Sequence, residues 1–436
     1  MTFDLLLKGG VVVGPNGRGE ADVGITAGRI AAVGSLATSA AKETFDARGL
    51  HLLPGVIDSQ VHFREPGLTH KEDIGSGSAG AALGGVTCFF EMPNTDPNTT
   101  TAEALAWKVA RARATSWVDF AFYVGATKDN AAQLGALEQL EGAAGVKVFL
   151  GSSTGTLLVD DPAVLEQVMR SGKRRMACHS EDEARLKERK PLTAGARVHV
   201  HPDWRDEECA VKSTRNLLAL AKKVGRRVHV LHVTTAGEVP LLAAAKDLVT
   251  CEVTPQHLTL FAPDCYDRLG TRAQMNPPIR TREHYTALWK GVADGTFDVL
   301  GSDHAPHTLE EKARPYPASP SGMPGVQTLL PVMLNHVSEG RLSLERLVQL
   351  TSAGPARVFG LASKGVLEVG KDADVTLVDL KRAHEFTAKE MANKSGWTPF
   401  EGMTVHGFPI ATIVRGSVVM RDGALQGKPG GQPATF

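Results

Sequence analysis

Histidine and carboxylate side chains lie at the ends of several apolar stretches of this sequence. His62, His179 and His232 each lie at the end of one stretch, and Asp303 directly follows another. A single histidine in such a place is more often an ordinary hydrogen-bonded residue than a metal ligand. It is not expected by chance that four separate apolar stretches each carry an imidazole or carboxylate group at their end. Zinc and similar divalent ions bind these groups. The pattern therefore predicts a site for a divalent metal ion.

Lys147 lies inside a further apolar stretch, where a charged side chain is out of place. Burial could neutralise the amine, its head could reach outward to water, or a carboxylate could pair with it. If the side chain instead faces the metal ligands, an ammonium would be repelled by the ions. It must then lose its proton or become an anion. Reaction with carbon dioxide would give a carbamate that can bridge two metal ions.

The stretches that hold these residues have the pattern of buried strands, and helical stretches such as 102–115 and 207–224 separate them. Strands buried on both faces have nearly continuous apolar sequences, and eight parallel strands with helices outside close an α/β barrel of the TIM type, (β/α)8. The predicted strands are Gly55–His62, Val86–Met92, Asp119–Val124, Val146–Leu150, Arg175–His179, Val228–Val233, Val249–Thr254 and Phe297–Ser302. The carboxyl ends of barrel strands meet at one rim, so we expect the candidate ligands there.

The two ends of the chain have a different pattern, in which short apolar strands alternate with turns. The pattern of the first fifty residues returns at 374–379 and 410–423. A small meander buries too little surface to be stable alone. We therefore expect one small β-sandwich domain built from residues 1–54 and 355–436, and a barrel domain of a metal-dependent hydrolase built from residues 55–354.

Two segments are predicted to be irregular. Residues 305–325 are polar and rich in proline, which indicates an ordered loop over the site or a mobile lid. The segment from Gly427 to Pro433 consists mainly of glycine, proline and polar residues. That composition predicts a disordered tail, because it offers little apolar surface to bury.

The charge and composition exclude several classes of protein. The 436 residues include 48 basic and 48 acidic ones, so the chain has no net charge with which to attract a nucleic acid. The sequence lacks a signal-peptide pattern and a run of about 18 apolar residues, so we expect no membrane partner. The five cysteines are scattered and form no Cys-x-x-Cys pair, which argues against disulfides and a Cys-ligated zinc. We expect a folded cytoplasmic protein.

A family resemblance spans nearly the whole chain. The sequence resembles the amidohydrolase superfamily and, within it, the bacterial-type dihydroorotases with two zinc ions. The matching segments are Pro54–Gly67, Glu91–Thr95, Gly145–Phe149, Cys178–Asp182, Val230–Thr235, Glu252–His257, Met275–Pro278 and Gly301–His307. Near the end of the chain, Gly370–Asp374 resembles the family's return into its β-sandwich and Thr398–Gly402 its C-terminal segment. The number and order of the matches make the resemblance specific. Together with the pattern of candidate ligands, the resemblance predicts that the metal site is hydrolytic.

The resemblance implies a role for each candidate ligand. Lys147 would be carboxylated and would bridge two zinc ions, with His179 and His232 on one ion and His62 and Asp303 on the other. Zinc can lower the pKa of a bound water from about 15.7 toward about 7, and a second ion can polarise the amide carbonyl. Asp303 would then take the proton of the attacking hydroxide and pass it to the departing amide nitrogen.

The resemblance also implies a pocket for a substrate carboxylate, formed by Arg64, Asn94 and His307 with Asn276 nearby. A guanidinium suits a carboxylate because it can donate two parallel hydrogen bonds. Relatives that open hydantoins, dihydropyrimidines or allantoin share the metal ligands but lack the Phe63–Gly67 arrangement. Arg64 therefore favours dihydroorotate, hydrolysed reversibly to N-carbamoyl-L-aspartate in pyrimidine biosynthesis. Without the surrounding motif, a rim arginine in a surface ion pair would be an equally good interpretation.

One position departs from the family's pattern. Most amidohydrolases have His-x-His at the end of the first strand, whereas this chain has Gln60 two residues before His62. Gln60 could coordinate weakly through its amide oxygen or not at all, so one or two zinc ions are expected. Two alternatives stay open: another cyclic amidohydrolase of the hydantoinase, dihydropyrimidinase or allantoinase kind, and an inactive structural subunit for a carbamoyltransferase. Inactive relatives usually lose several ligands, and this chain has lost one. We expect a homodimer.

Overall fold

The computed structural model describes residues 2–36, 38–153 and 156–436. Its strands are β1 (Thr2–Gly14), β2 (Gly17–Thr26), β3 (Arg29–Gly34), β4 (Ala40–Asp46), β5 (His51–Pro54), β6 (Val56–Val61), β7 (Val86–Glu91), β8 (Asp119–Gly125), β9 (Ala143–Phe149), β10 (Met176–His179), β11 (Val228–Val230), β12 (Val249–Val253), β13 (Val299–Leu300), β14 (Val375–Glu385), β15 (Thr404–Val414), β16 (Ser417–Arg421) and β17 (Ala424–Leu425).

The α-helices are α1 (Ile74–Leu83), α2 (Ala102–Thr115), α3 (Leu134–Leu137), α4 (Pro162–Arg170), α5 (Glu183–Arg189), α6 (His201–Trp204), α7 (Glu207–Val224), α8 (Glu238–Ala243), α9 (Pro255–Thr259), α10 (Asp264–Leu269), α11 (Arg282–Ala293), α12 (Leu309–Lys312), α13 (Leu329–Ser338), α14 (Leu344–Val348) and α15 (Gly354–Phe359). Short 3-10 turns lie at Ala131–Gln133, Lys190–Thr193, Val198–Val200, Gly270–Ala273 and Ala388–Glu390, and a π-helical turn at Gln349–Ala353 joins α14 to α15.

Strands β6 to β13 form one parallel sheet, in which each strand pairs with the next along the chain. The sheet closes on itself just beyond β13, because the amide of His62 donates to the carbonyl of His304 at 2.7 Å. Side chains along these strands are buried throughout, as expected of strands covered on both faces. The predicted (β/α)8 barrel is confirmed, and each of the eight predicted runs overlaps one of these strands.

Two of the outer helices, α2 and α7, begin and end where the sequence predicts. Helix α7 begins because the carboxylate of Asp206 accepts a hydrogen bond from the amide of Cys209 at 3.0 Å, and it ends at Gly225, which takes a left-handed conformation with φ of 76°. The bounds of α2 and α7 equal the predicted ones, 102–115 and 207–224. None of the described helices is both long and apolar enough to cross a lipid bilayer.

Both ends of the chain build a second sheet, as the sequence predicts. Its strand order is β17-β16-β15-β14-β5-β1-β2-β3, with β4 beside β1. The ends meet where β14 pairs antiparallel with β5 and Val375 lies opposite Pro54. Leu5, Leu7 and Leu377 belong to the buried apolar cluster of this sheet. The domain bounds at residues 54 and 355 stay a prediction.

A buried ion cluster joins this sheet to the amino end of the barrel. Asp119, Asp372 and Asp374 are a group of acidic side chains in the described chain close enough together to hold a metal ion. The ammonium of Lys364 fills that place, at 2.6 Å from carboxylate oxygens of Asp119 and Asp374 and 3.2 Å from Asp372. Arg415 adds a second positive charge, 2.9 Å from Asp119. The cluster is therefore an ion-pair network that joins two parts of the fold.

The predicted disorder of residues 427–433 is wrong. The segment runs beside the start of β8, where the amide of Ala434 donates to the carbonyl of Phe120 at 2.8 Å. Gly431 allows this close approach, since a Cβ there would lie 2.0 Å from the carbonyl oxygen of Val118. The composition that suggested mobility instead lets the backbone dock on the barrel.

The segment 305–325 lies at the rim of the barrel and includes the short helix α12. Lys312 in this helix is 1% exposed, and its ammonium donates to the carbonyls of Gln274, Pro320 and Gly322 at 3.1, 2.8 and 3.0 Å. The hydrogen bond to Gln274 ties the segment to the neighbouring loop, and the bonds to Pro320 and Gly322 hold the segment itself together. This favours the ordered-loop interpretation over the mobile lid.

Candidate metal centre and active site

The carboxyl ends of the barrel strands bring nearly all the predicted site residues to one cavity. The lining consists of Gln60, His62, Arg64, Asn94, Lys147, Phe149, Ser153, His179, His232, Asn276, Asp303, Ala305, Ser321 and Gly322. The remaining predicted residue, His307, contacts the site through Arg64, with its Nε2 3.3 Å from Nη2 of the arginine. The structure thus places the candidate residues together, while their roles stay predictions.

His179 and His232 form one half of the candidate metal centre. Nε2 of His179 lies 2.8 Å from a carboxylate oxygen of Glu181, so this nitrogen carries the hydrogen. Nδ1 is then free to bind a metal and lies 3.0 Å from Nε2 of His232. Tetrahedral zinc with bonds of about 2.0–2.1 Å needs two nitrogens about 3.3 Å apart, so the pair fits one ion. Burial lowers the pKa of both imidazoles well below 6.5, which keeps them neutral and able to coordinate.

Glu181 is a functional candidate that the sequence did not single out. It is fully buried, and Nη2 of Arg205 lies 3.0 Å from the same oxygen that binds His179. Carboxylates that bind the second nitrogen of a metal-binding histidine fix its tautomer and ring orientation. The one available signal was the position of Glu181, two residues after a candidate ligand.

His62, Asp303 and Gln60 form the other half of the centre. Nδ1 of His62 lies 2.8 Å from the amide oxygen of Asn94, which leaves Nε2 as the coordinating nitrogen, 3.3 Å from Oδ1 of Asp303. Nε2 of Gln60 donates to the same carboxylate oxygen at 3.0 Å. Oε1 of Gln60 is buried and has no hydrogen-bond partner among the described residues. A bound cation would satisfy this oxygen, so the donor set fits a second metal ion.

Lys147 lies in the middle of the cavity wall. In the parallel pairing of β9 and β10 it stands opposite Ala177, two residues before His179. The side chain is 1% exposed, its Nζ lies 4.4 Å from the centre of the Phe149 ring, and burial lowers its pKa to about 7. Burial therefore favours the neutral amine. A neutral amine is the form that reacts with carbon dioxide, so the site also fits a carbamate.

Asp303 has the properties of a base that works near neutral pH. Burial raises the pKa of its carboxyl to about 7, although the positive charges of Lys147 and Arg64 oppose the rise. A proton carrier works best when its pKa lies close to the working pH.

The backbone is strained at three site residues. Arg64, His232 and Asp303 have φ angles of 63°, 35° and 45°, and they are half of the six non-glycine residues of the described chain with positive φ. Such conformations cost about 1–3 kcal/mol each and concentrate at functional sites. Here they occur where the chain leaves a barrel strand.

The candidate carboxylate pocket is centred on Arg64. Its guanidinium donates from Nε to the carbonyl of Pro306 at 3.3 Å and contacts His307. The residue is 1% exposed, burial lowers the pKa of its guanidinium to about 10, and Nη1 has no partner within the described part of the chain. Arg64 can therefore offer a hydrogen bond and a positive charge to a ligand in the cavity.

A (β/α)8 barrel with imidazoles and a carboxylate at its rim is typical of metal-dependent hydrolases. Residues 51–419 match the Amidohydrolase family, and the chain belongs to this family, whose members are typically metal-dependent. The chain is 37% identical to the dihydroorotase of Methanosarcina mazei, over 98% of this chain and 96% of that protein. It is 36% identical to the allantoinase of Rubrobacter xylanophilus, over 99% and 97%.

Among solved structures, the chain resembles an L-hydantoinase (dihydropyrimidinase) from Arthrobacter aurescens. The TM-score is 0.96 at 31% sequence identity, and the match covers 100% of both chains. The relatives therefore agree on the family and on the fold. Their names differ in substrate, so the substrate of this chain has to be argued from its own cavity.

Replacing Gln60 by His is expected to strengthen metal binding beside His62 and Asp303. An imidazole nitrogen is a better zinc ligand than an amide oxygen. The wild-type protein should keep one zinc ion firmly and lose a second on dialysis, whereas Gln60→His should retain both. Elemental analysis after dialysis measures the difference, with Gln60→Met as a control of similar size that lacks a ligand oxygen. Equal zinc content in all three proteins would contradict the assignment.

Proposed function

We propose that this protein is a dihydroorotase that hydrolyses the cyclic amide of (S)-dihydroorotate reversibly to N-carbamoyl-L-aspartate in pyrimidine biosynthesis. The observation that carries the proposal is the buried guanidinium of Arg64, which lines the cavity and keeps Nη1 without a partner among the described residues. Its polar contacts are the carbonyl oxygen of Pro306, which accepts a hydrogen bond from Nε, and the uncharged ring of His307, and neither is a carboxylate. A buried charge of this kind favours an anionic ligand.

The substrate's chemistry matches that requirement. Dihydroorotate has a carboxylate attached to its ring, whereas hydantoin, dihydrouracil and allantoin rings lack one. The dihydroorotase name of the archaeal relative supports the same choice. The alternative is a cyclic amidohydrolase that acts on an uncharged ring, and the structural likeness to a hydantoinase favours it.

The metal centre would supply the chemical activation. One or two zinc ions, held by His179, His232 and Lys147 on one side and by His62 and Asp303 on the other, would provide a water activated at neutral pH and a polarised amide carbonyl. Asp303 accepts a proton from the attacking water and returns it to the ring nitrogen when the amide bond breaks.

Lys147 would hold its metal ions as a carbamate. The neutral amine attacks the carbon of carbon dioxide, a nitrogen–carbon bond forms and one proton is released. The product is an anion whose two oxygens would be available to hold one or two metal ions. This proposal is supported by the burial of Lys147 among the histidines and by the lowered pKa of its amine.

The substrate pocket orients the ring relative to these groups. Arg64 binds the substrate carboxylate, while Asn94 and Asn276 contact the ring from the cavity wall. His307 lies behind the guanidinium and is 3.0 Å from the carbonyl of Ser321 and 3.2 Å from Nζ of Lys71. These contacts hold the arginine in place against the loop at the rim.

Purified protein supplied with zinc and bicarbonate should interconvert dihydroorotate and N-carbamoyl-aspartate in both directions. We expect kcat/KM for dihydroorotate to exceed that for hydantoin, dihydrouracil and allantoin by about 100-fold or more, because the uncharged rings leave a buried guanidinium unpaired. Equal or faster turnover of an uncharged ring would support the alternative activity. A protein that binds no zinc and turns over none of these compounds would instead be an inactive scaffold.

The expected homodimer, a cytoplasmic location and contact with a carbamoyltransferase remain proposals. Light scattering of the purified protein tests the first. Localisation of the tagged full chain in its own cells tests the second, and co-purification with a carbamoyltransferase from the same cells tests the third.

A further inference from the structure

His201, the first residue of α6, lies behind one wall of the cavity. The side chain is fully buried. Its Nε2 lies 2.9 Å from the carbonyl oxygen of Met275 and 3.0 Å from Oδ1 of Asn276. Its Nδ1 lies 3.3 Å from the hydroxyl of Tyr316. The ring therefore contacts a polar group through each nitrogen.

These contacts determine the tautomer of His201. The carbonyl of Met275 can only accept a hydrogen bond, so Nε2 must carry the hydrogen. Burial, together with the positive charge of Arg205, lowers the pKa of the imidazole to about 3, so the ring is neutral near pH 7. Nδ1 therefore has a lone pair and accepts the hydrogen bond from Tyr316.

The tautomer in turn fixes the side chain of Asn276. The atom of Asn276 next to the Nε2 hydrogen must be an acceptor, which is the amide oxygen. The amide nitrogen then occupies the other position of the side chain, and Asn276 lines the cavity. With its oxygen held by His201, Asn276 has its amide nitrogen left to donate to a ligand in the cavity.

His201 also connects three segments that follow different strands of the barrel. His201 itself follows β10, Asn276 follows β12, and Tyr316 lies in the segment 305–325 after β13. The last of these segments also supplies Ser321 and Gly322 to the cavity lining. A change at His201 can therefore alter the cavity without touching a candidate metal ligand.

We propose that His201 is a positioning residue that makes Asn276 a hydrogen-bond donor to an acceptor oxygen of the substrate, a ring carbonyl or the carboxylate. This role of His201 depends on the proposed function in one respect only, which is that the substrate is a cyclic amide. It predicts that the cavity wall at Asn276 discriminates against rings that present an N–H group there, because two donors would then face each other.

The first test combines His201→Leu with Asn276→Ala. His201→Leu should raise KM about tenfold with a smaller change in kcat, since the amide of Asn276 becomes free to turn. The same substitution should have no further effect when Asn276 is already Ala. His201→Gln, which can keep an N–H near the position of Nε2, should restore most of the affinity. His199→Leu is the matched control, because His199 bonds Asp267 at the surface, 2.8 Å away, and does not line the cavity.

Tyr316→Phe provides a second variant that removes one hydroxyl and little volume. It should raise KM about twofold to threefold, because the tautomer of His201 loses one of the two hydrogen bonds that stabilise it. Zinc content and melting temperature are measured for every variant, so that a loss of folding is recognised. If His201→Leu raises KM by the same factor in the wild type and in the Asn276→Ala variant, the proposal is overturned.

The tautomer itself can be measured by nitrogen NMR of the full-length protein labelled at histidine. We expect a neutral His201 with its hydrogen on Nε2 between pH 6 and pH 8. A hydrogen on Nδ1, or a protonated ring, would overturn the proposal. Because the NMR needs no substrate, and the kinetic cycle uses whichever ring is hydrolysed, failure to hydrolyse dihydroorotate would refute the proposed function without deciding the role of His201.

Discussion

Lys147→Ala is expected to lose bound zinc and activity together. The alanine removes the only group proposed to bridge the ions, while the histidines on either side would hold them through too few ligands to resist dialysis. We expect less than about one ten-thousandth of the wild-type kcat/KM, the scale seen when a metal-activated step is removed. Zinc analysis and the dihydroorotate assay measure the two losses on the same sample.

A second substitution separates bridging from packing. Lys147→Met keeps most of the buried volume of the side chain and should lose zinc as completely as Lys147→Ala. Short carboxylic acids such as acetate or propionate should partly restore zinc binding to the alanine variant, because they can occupy the space and bridge the ions. Full zinc content in both variants would contradict the bridging role. A crystal of active, zinc-loaded protein with an unmodified Lys147 amine would also contradict it.

Arg64→Met is expected to reduce kcat/KM for dihydroorotate while the zinc content stays the same. Removing one partner of a buried charge pair costs about 2–5 kcal/mol, which corresponds to about 30-fold to several thousand-fold in kcat/KM. The loss should be specific to substrates with a carboxylate, because an uncharged hydantoin makes no ion pair with the guanidinium.

Arg64→Lys is the matched control for this prediction. It keeps the positive charge but loses the planar guanidinium geometry. Its kcat/KM for dihydroorotate should therefore fall between those of wild type and Arg64→Met. Unchanged dihydroorotate kinetics in Arg64→Met would remove the main support for this substrate. Equal activity of the wild type on hydantoin and dihydroorotate would do the same.

The barrel could be predicted because its strands are buried on both faces. A stretch such as 120–124 is apolar or aromatic on both alternating sets of positions, and that pattern belongs to the sequence itself. Helix α7 could be bounded closely because Asp206 begins it and Gly225 ends it. The candidate ligands His179 and His232 could be placed at one rim because strand direction alone decides where β10 and β11 end.

The remaining features depend on contacts between distant parts of the chain. His201 meets Asn276 across 75 positions of sequence and Tyr316 across 115, and no local pattern indicates either contact. The docking of residues 427–433 on β8 was missed for the same reason, since a glycine-rich segment has no apolar face to reveal its partner. Glu181 lay close to a predicted ligand, but its role depends on the direction of the His179 ring.

The ion cluster of Lys364 lies far from the candidate active site, so the contacts that stabilise the fold and the residues that would perform chemistry are at different ends of the barrel. Asp119 opens β8 at the end of the barrel opposite the metal ligands, and there the terminal sheet is attached through charges removed from water. Mutations that reshape the rim therefore leave this attachment intact. A protein built in this way can acquire new substrates during evolution by exchanging rim side chains, while its scaffold and its folding requirements are inherited unchanged.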